Sequence, residues 1–303
     1  MRIAVIDLGT NTFKYILCEL QDGKLVRLAS DLQFVRLGKG GISDGRILQE
    51  AVDRAIHTLS DFKKQINRVG ADEIVAIGTN VFRAAKNAEE VIEEIYEELR
   101  IKVHVISGEE EARLISFGVQ HEINFEGEKG LIMDIGGGST EFIICDEKKI
   151  YWKESFEIGA QRLMDAFYKE DPISLESQKE MYDFFDEELA SLNEQISIFQ
   201  PKKLIGSAGT FDTIRSMYEA RTRETLTEEK NFVGTGIFNA MYQELLTLPR
   251  VQRLQIAGLI SERVDMIVPA AISLQYVIEQ VQTDRIYISE SSLREGIFWQ
   301  KHS

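Results

Sequence analysis

Two short acidic turns hold the residues best suited to chemistry in this sequence. Asp7-Leu8-Gly9-Thr10-Asn11-Thr12 and Asp134-Ile135-Gly136-Gly137-Gly138-Ser139-Thr140 each follow a short apolar run, residues 3–6 and 131–133. A glycine just past the aspartate lets backbone N–H groups point outward with no Cβ in the way. Consecutive N–H groups form a nest for an anion. The strand-end carboxylate can hold a hard cation directly or through water, and Mg2+ favours a few carboxylates completed by waters and phosphate oxygens. Gly136, Gly137 and Gly138 followed by the hydroxyls of Ser139 and Thr140 offer the richer donor set. A third candidate, Ser207-Ala208-Gly209-Thr210, falls at a predicted strand-to-helix junction, where a helix N-terminus is itself an anion site. One Asp-x-Gly turn alone reads best as a plain hairpin. Two of them plus the third junction point to phosphate, and two such turns facing each other across a cleft would clamp a phosphate chain.

Glu109, Glu110 and Glu111 open a predicted helix after Ser107-Gly108. Acids in a first turn complement the helix dipole, and for any one of them that role suffices. Helical spacing sets Glu110 on the face of Leu114 and Phe117, and Glu111 with Ile115 and Gly118; the choice of a reactive carboxylate between them stays open on geometry. Arg83 follows the turn Gly78-Thr79-Asn80, which favours a cleft position over a plain surface helix. Arg36 and Lys39 flank the loop Leu37-Gly38-Lys39-Gly40-Gly41. Contact with a long polyanion and simple solvation are equally good readings for these two.

The elements that must position these groups follow from the hydrophobic pattern. Residues 3–6, 13–20 and 25–28 read as strands, with Asp22-Gly23 as a hairpin turn. Leu48, Val52, Ala55, Leu59, Phe62, Ile66 and Val69 recur at threes and fours, one face of a long helix that Gly70 ends. A strand at 73–77, helices at 80–86 and 88–99, and a strand at 102–106 follow. At Gly130 the plan restarts: strands at 131–133, 141–145 and 150–156, helices at 160–167 and 175–199, a strand at 203–205, further helices, a strand at 285–289 and a last helix at 293–301. An offset of 127 residues pairs Asp7 with Asp134, Gly9 with Gly136, Thr12 with Ser139, Tyr15 with Phe142, Ile16 with Ile143 and Cys18 with Cys145. This is an internal repeat. It predicts two similar domains, 1–124 and 125–303, a polar hinge near 122–129, and a last helix (292–301) packing back on the first domain.

Composition bounds the rest. The chain has 303 residues, 28% charged and 44% hydrophobic, with a net charge of −15. That balance suits a globular chain with a sizeable core. The negative charge argues against coating nucleic acid or an anionic membrane. No apolar run is long enough for a membrane span, and Asp7 comes too early for a signal peptide. Two cysteines, Cys18 and Cys145, read as buried core residues of a cytoplasmic protein with no disulfide framework. The four histidines show no zinc spacing.

The duplicated turns resemble those of the actin-like ATPase superfamily, with its acetate kinase, sugar kinase and heat-shock ATPase members. More narrowly, the chain resembles the exopolyphosphatase and guanosine pentaphosphate phosphatase family. The likeness rests on Asp7 to Thr12, Gly78 to Asn87, Ile106 to Ile115, Asp134 to Glu141, Ser207 to Thr210 and Ser292-Leu293-Arg294-Glu295-Gly296, in the family's order. It implies an α/β fold of two duplicated actin-like (ribonuclease H-like) domains, with mixed sheets flanked by helices and a cleft between them. It implies hydrolysis of a terminal phosphoanhydride by water with Mg2+, Mn2+ being an alternative that carboxylate sites also accept. By this resemblance Asp7, Asp134 and Glu141 surround the metal and Arg83 holds a phosphate. Glu111 or Glu110 activates water, with Glu111 favoured. Gly9, Thr10, Asn11, Gly136, Gly137, Gly138, Ser139, Thr140, Ser207, Gly209 and Thr210 bind substrate.

The expected function is therefore release of orthophosphate from inorganic polyphosphate, guanosine pentaphosphate or both, in a cytoplasmic protein for which the resemblance suggests a homodimer. An ATP-dependent kinase of the same superfamily and a non-catalytic nucleotide- or polyphosphate-binding regulator are the alternatives. The segment 262–270 departs from the family's pattern at Pro269, which falls where a helix would otherwise run on, and its contact is left open. The sequence also lacks the further C-terminal helical domains of longer family members, which leaves chain-length preference open.

Overall fold

The computed structural model describes residues 1–41 and 45–302. The chain divides into two compact units, Met1–Gly118 with Leu293–Ser303, and Val119–Ser292.

In the first unit, β1 (Arg2–Leu8) pairs antiparallel with β2 (Phe13–Gln21), and β2 with β3 (Lys24–Gln33). After α1 (Gln49–Val69), the strand β4 (Glu73–Gly78) joins β1 in parallel. Then come α2 (Asn80–Ala84), α3 (Ala88–Leu99), β5 (Val103–Val105) beside β4, and α4 (Gly108–Gln120). The sheet order is β3-β2-β1-β4-β5. Helix α1 buries Ala51, Val52, Ala55, Leu59, Phe62 and Ile66, and ends at Gly70, whose φ of 89° and N–H bond to Ile66 O form a left-handed cap.

The second unit repeats the plan. The strands β6 (Gly130–Ile135), β7 (Thr140–Cys145) and β8 (Ile150–Phe156) form an antiparallel meander. The helices α5 (Ala160–Phe167), α6 (Leu175–Glu188) and α7 (Ala190–Phe199) lead to β9 (Lys203–Ser207), which runs parallel to β6. After α8 (Ala208–Thr222) come β10 (Phe232–Gly234), α9 (Thr235–Thr247), α10 (Arg250–Arg253), a 3-10 turn at Ser261–Arg263, α11 (Ile267–Val281) and β11 (Arg285–Ile288). The sheet order is β10-β11-β9-β6-β7-β8. Finally α12 (Leu293–Gln300) packs in the first unit against β1 and β2.

The duplication is exact to the residue in its hairpins. Asp7 faces Lys14 and Leu8 faces Phe13 across β1–β2, while Asp134 faces Glu141 and Ile135 faces Thr140 across β6–β7. Even the register shift recurs, between Leu17 and Cys18 and between Ile144 and Cys145. Each unit has its own apolar core. This is the duplicated α/β fold with mixed sheets expected from the sequence.

Some elements differ from the sequence reading. The strand expected at 25–28 extends over Lys24–Gln33, because an edge strand carrying Ser30 and Asp31 shows no clean alternation. The helix expected at 175–199 is two helices joined at Leu189. Its apolar face runs on through Met181, Phe185, Leu189, Leu192 and Ile196, so periodicity alone does not reveal the join. β10 is three residues long, too short for a pattern to show. Pro269 sits in the first turn of α11, where its missing N–H has no intrahelical partner to lose.

The segment 122–128 is tied within the second unit. The Glu122 carboxylate accepts from Ser289 Oγ at 2.7 Å and from the N–H groups of Glu290 and Ser291 at 2.9 and 2.7 Å. Gly127 N–H donates to Glu147 at 2.8 Å, and Lys203 Nζ to Asn124 O at 2.9 Å.

Candidate active site

In the first unit the turn after β1 closes through Gly9 N–H to Thr12 O at 3.1 Å. A Cβ on Gly9 would stand 3.0 Å from that same oxygen, a tight contact that favours glycine in the turn. Thr10 and Asn11 are buried polar residues at its tip, and Thr10 Oγ1 is a buried atom with no hydrogen-bond partner. Asp7 lies on the sheet face covered by α12. Burial pushes its carboxyl pKa up; Lys14 across the hairpin and Arg294 of α12 pull it back down, and Glu295 adds to the rise.

α2 and α4 supply the second cluster of that unit. Arg83 Nη1 donates to Glu111 Oε2 at 2.7 Å and to Ile106 O at 3.1 Å, while its Nη2 is buried without a hydrogen-bond partner. Glu111 is only 8% exposed. Glu110 is held quite differently. Its two oxygens accept a bidentate pair from Arg113 Nε and Nη2 at 2.8 and 2.7 Å, at a half-exposed position. The structure thus separates two neighbours that helical spacing left undivided: Glu111 points inward to Arg83 and Glu110 outward to Arg113.

In the second unit the turn after β6 closes in the same way, Gly136 N–H to Ser139 O at 3.0 Å. Here the glycine loop is also locked from behind. Ala160 N–H donates to Gly136 O at 2.9 Å, Gln161 N–H to Gly137 O at 2.9 Å, and Gly159 N–H to Gly138 O at 3.2 Å. Arg162 Nε adds a bond to Gly138 O at 2.9 Å. The loop carbonyls therefore face the start of α5. In a trans peptide the next N–H points the opposite way, so the N–H groups of Gly137, Gly138 and Ser139 are turned away from α5 as an anion nest. Gly159 is required by this packing, since a Cβ there would come within 2.4 Å of Gly137.

Beside the nest, Asp134 and Glu141 are cross-strand partners, 6% and 1% exposed. Ser207 Oγ donates to Asp134 Oδ2 at 2.5 Å and Ser155 Oγ to Glu141 Oε1 at 2.7 Å. Directly opposed like charges repel, and a cation offsets that repulsion. Ser207 thus orients a carboxylate, and Thr140, fully buried, gives its hydroxyl to Ile158 O at 3.2 Å. At the β9–α8 junction Ala208 adopts a left-handed φ of 65°. A Cβ on Gly209 would fall 2.0 to 2.5 Å from the guanidinium of Arg263, whose fork lies against the first turn of α8, near Thr210. Burial lowers the Arg263 pKa, and the Asp212 carboxylate opposes that shift.

Among the described residues, no group of three or more His, Cys, Asp or Glu side chains is gathered for a metal. An all-oxygen pair such as Asp134 and Glu141 instead fits a hard cation that takes its remaining ligands from water and phosphate. The sequence reading passed over Lys14, Ser155, Gly159 and Arg162, and gave Arg263 no role. Only Gly159, a glycine just before a predicted helix, carried a local signal.

A Ppx/GppA phosphatase family model matches residues 16–303. An exopolyphosphatase structure from Cytophaga hutchinsonii is 39% identical, with a TM-score of 0.95, over 99% of this chain and 97% of that one. A Ppx/GppA family member from Aquifex aeolicus is 25% identical, with a TM-score of 0.81, over 100% and 97%. A guanosine-5'-triphosphate,3'-diphosphate pyrophosphatase of Photobacterium profundum is 29% identical over 99% of this chain, which spans 59% of that relative's length.

Proposed function

This chain belongs to the Ppx/GppA phosphatase family, and from that premise we propose that it is a Mg2+-dependent hydrolase releasing terminal orthophosphate from inorganic polyphosphate or guanosine pentaphosphate. The observation that carries this reading is the divided guanidinium of Arg83. One nitrogen holds Glu111, and the other is buried with no hydrogen-bond partner. Such a planar fork suits a phosphate oxygen. Glu111, fixed beside it, is the carboxylate that accepts a proton from the attacking water.

The second unit carries groups suited to charge neutralisation. The N–H groups of Gly137, Gly138 and Ser139 take phosphate oxygens, and Asp134 and Glu141 hold the cation, which would offset the charge developing on the phosphoryl oxygens. Ser207 and Ser155 fix the two carboxylates. Little covalent work is asked of the protein in such a transfer, so positioning and electrostatics do most of it. No helix among the described residues is long and apolar enough to cross a membrane. Cys18 and Cys145 are free and buried, which suits a cytoplasmic setting that keeps thiols reduced.

The test is orthophosphate release from both substrates with Mg2+. Glu111→Gln is expected to lower kcat by about 10²–10⁴-fold with KM largely kept, the range for a general base, while Glu110→Gln changes it little. Equal losses in the two variants, or none, would overturn the assignment.

A further inference from the structure

The loop that follows β3 has no part in the chemistry above, yet it is built into the same unit with unusual care. Arg36 N–H donates to Asn11 O at 2.8 Å and Gly38 N–H to Thr10 O at 3.0 Å, so the loop is stitched to the tip of the first acidic turn. Arg54 of α1 holds it from behind, with Nε on Val35 O at 3.0 Å and Nη2 on Arg36 O at 3.3 Å. Farther along, Asn87 clamps Ile47 through both its N–H and its C=O, each at 2.9 Å. The loop is thereby joined to the segment that follows Arg83. Val35 and Leu37 are buried, while Arg36 and Lys39 are exposed, and Arg36 takes a left-handed φ of 52° between its buried neighbours. Neither Arg36 nor Lys39 forms an ion pair with any described carboxylate. In a chain with a net charge of −15, Arg36 and Lys39 place two exposed cations beside the first acidic turn.

We propose that Arg36 and Lys39 form a subsite for the phosphoryl groups of an inorganic chain beyond those held at the reacting end, and so select for long polyphosphate over short. This rests on the hydrolase reading above. Backbone already tied by hydrogen bonds at residues 35, 36 and 38 lowers the ordering cost of gripping a flexible polyanion. Exposed rim cations suit a chain that continues into solvent, whereas a compact ligand ends before it reaches them. The contacts are charge-assisted and salt-sensitive.

The experiment compares R36Q/K39Q with the unaltered protein on tripolyphosphate, on polyphosphate tens of units long, and on guanosine pentaphosphate, across a salt series. For the long chain, KM is expected to rise about tenfold or more, as two lost charge-assisted contacts imply, with kcat kept and a flatter salt dependence. For tripolyphosphate the change stays within about twofold, the scale of a screened, distant charge. The R36K/K39R protein restores the long-chain KM, which separates charge from folding. An equal KM rise on all three substrates, no rise on the long chain, or a rise confined to the guanosine nucleotide would overturn the subsite while leaving the hydrolase reading intact. No hydrolysis of any substrate by the unaltered protein would sink both.

Discussion

The hairpins β1–β2 and β6–β7 share their register and their closing turn bond, and the strands that follow them share the site of a register shift, yet the hairpins differ at one decisive position. Across from its aspartate, the first carries Lys14 and the second Glu141. Asp7 therefore meets a cation supplied by its own sheet. Asp134 meets another carboxylate, the pair to which the proposed function assigns the cation. The duplication supplied one scaffold twice, and a single residue type sets the charge that faces each aspartate.

The contrast is broken most directly by Glu141→Gln. It should raise the Mg2+ concentration for half-maximal orthophosphate release on the order of 100-fold, at the upper end of the losses seen around metal sites. Lys14→Met should leave that concentration unchanged; an equal shift in both variants would show that the hairpins are not specialised. Next in size is Ser155→Ala, which removes the hydroxyl orienting Glu141. It should weaken Mg2+ dependence about tenfold, the lower end of outer-shell effects, in a metal titration of activity.

Glycine substitution sharpens the comparison further. A Cβ on Gly159 meets the second turn at 2.4 Å, whereas one on Gly9 meets the first at 3.0 Å. Gly159→Ala should cost about 1–3 kcal/mol by overpacking and raise KM, and Gly9→Ala less. Thermal unfolding and steady-state kinetics measure both, and a larger loss for Gly9→Ala would reverse the ranking.

The smallest effect concerns the outer turns of the two meanders. The first uses Asp22-Gly23 with both φ values positive. The second uses Asp146, which accepts from Tyr151 Oη and from the N–H groups of Lys148 and Lys149. The Tyr151 hydroxyl, followed by those backbone bonds, holds the Asp146 carboxyl below the ordinary aspartate value of 3.8. A lowered folded-state pKa means the contribution is complete above that ordinary value and is lost as pH falls through the folded one. Amide exchange at Lys148 and Lys149 should therefore quicken below about pH 3.8, relative to Asp146→Asn, in which it is fast throughout. Exchange that stays slow on acidification would remove Asp146 from the account.

The duplicated fold was legible because a constant offset repeats both the pattern and the turn residues. Each acidic turn announces itself within a few positions. What sequence did not resolve depends on packing between distant segments. Glu110 and Glu111 share a first turn, and only Arg83 from α2 and Arg113 within α4 tell them apart. Lys14 matters through its partner across the sheet. Gly159 matters because α5 begins against the glycine loop. Arg263 lies more than fifty positions from Gly209, yet occupies the space a side chain there would fill.

One element has a consequence for how the protein is made. The helix α12 lies against β1 and β2, and a Cβ on its Gly296 would stand 1.8 Å from Leu114 O in α4. The first unit is thus finished by a helix that is synthesised only after the 174 residues of Val119–Ser292. At bacterial and eukaryotic elongation speeds that is a delay of roughly 10–35 s. Throughout it the nascent amino-terminal sheet exposes the apolar face that α12 will shield, and it waits in a form that a chaperone would recognise.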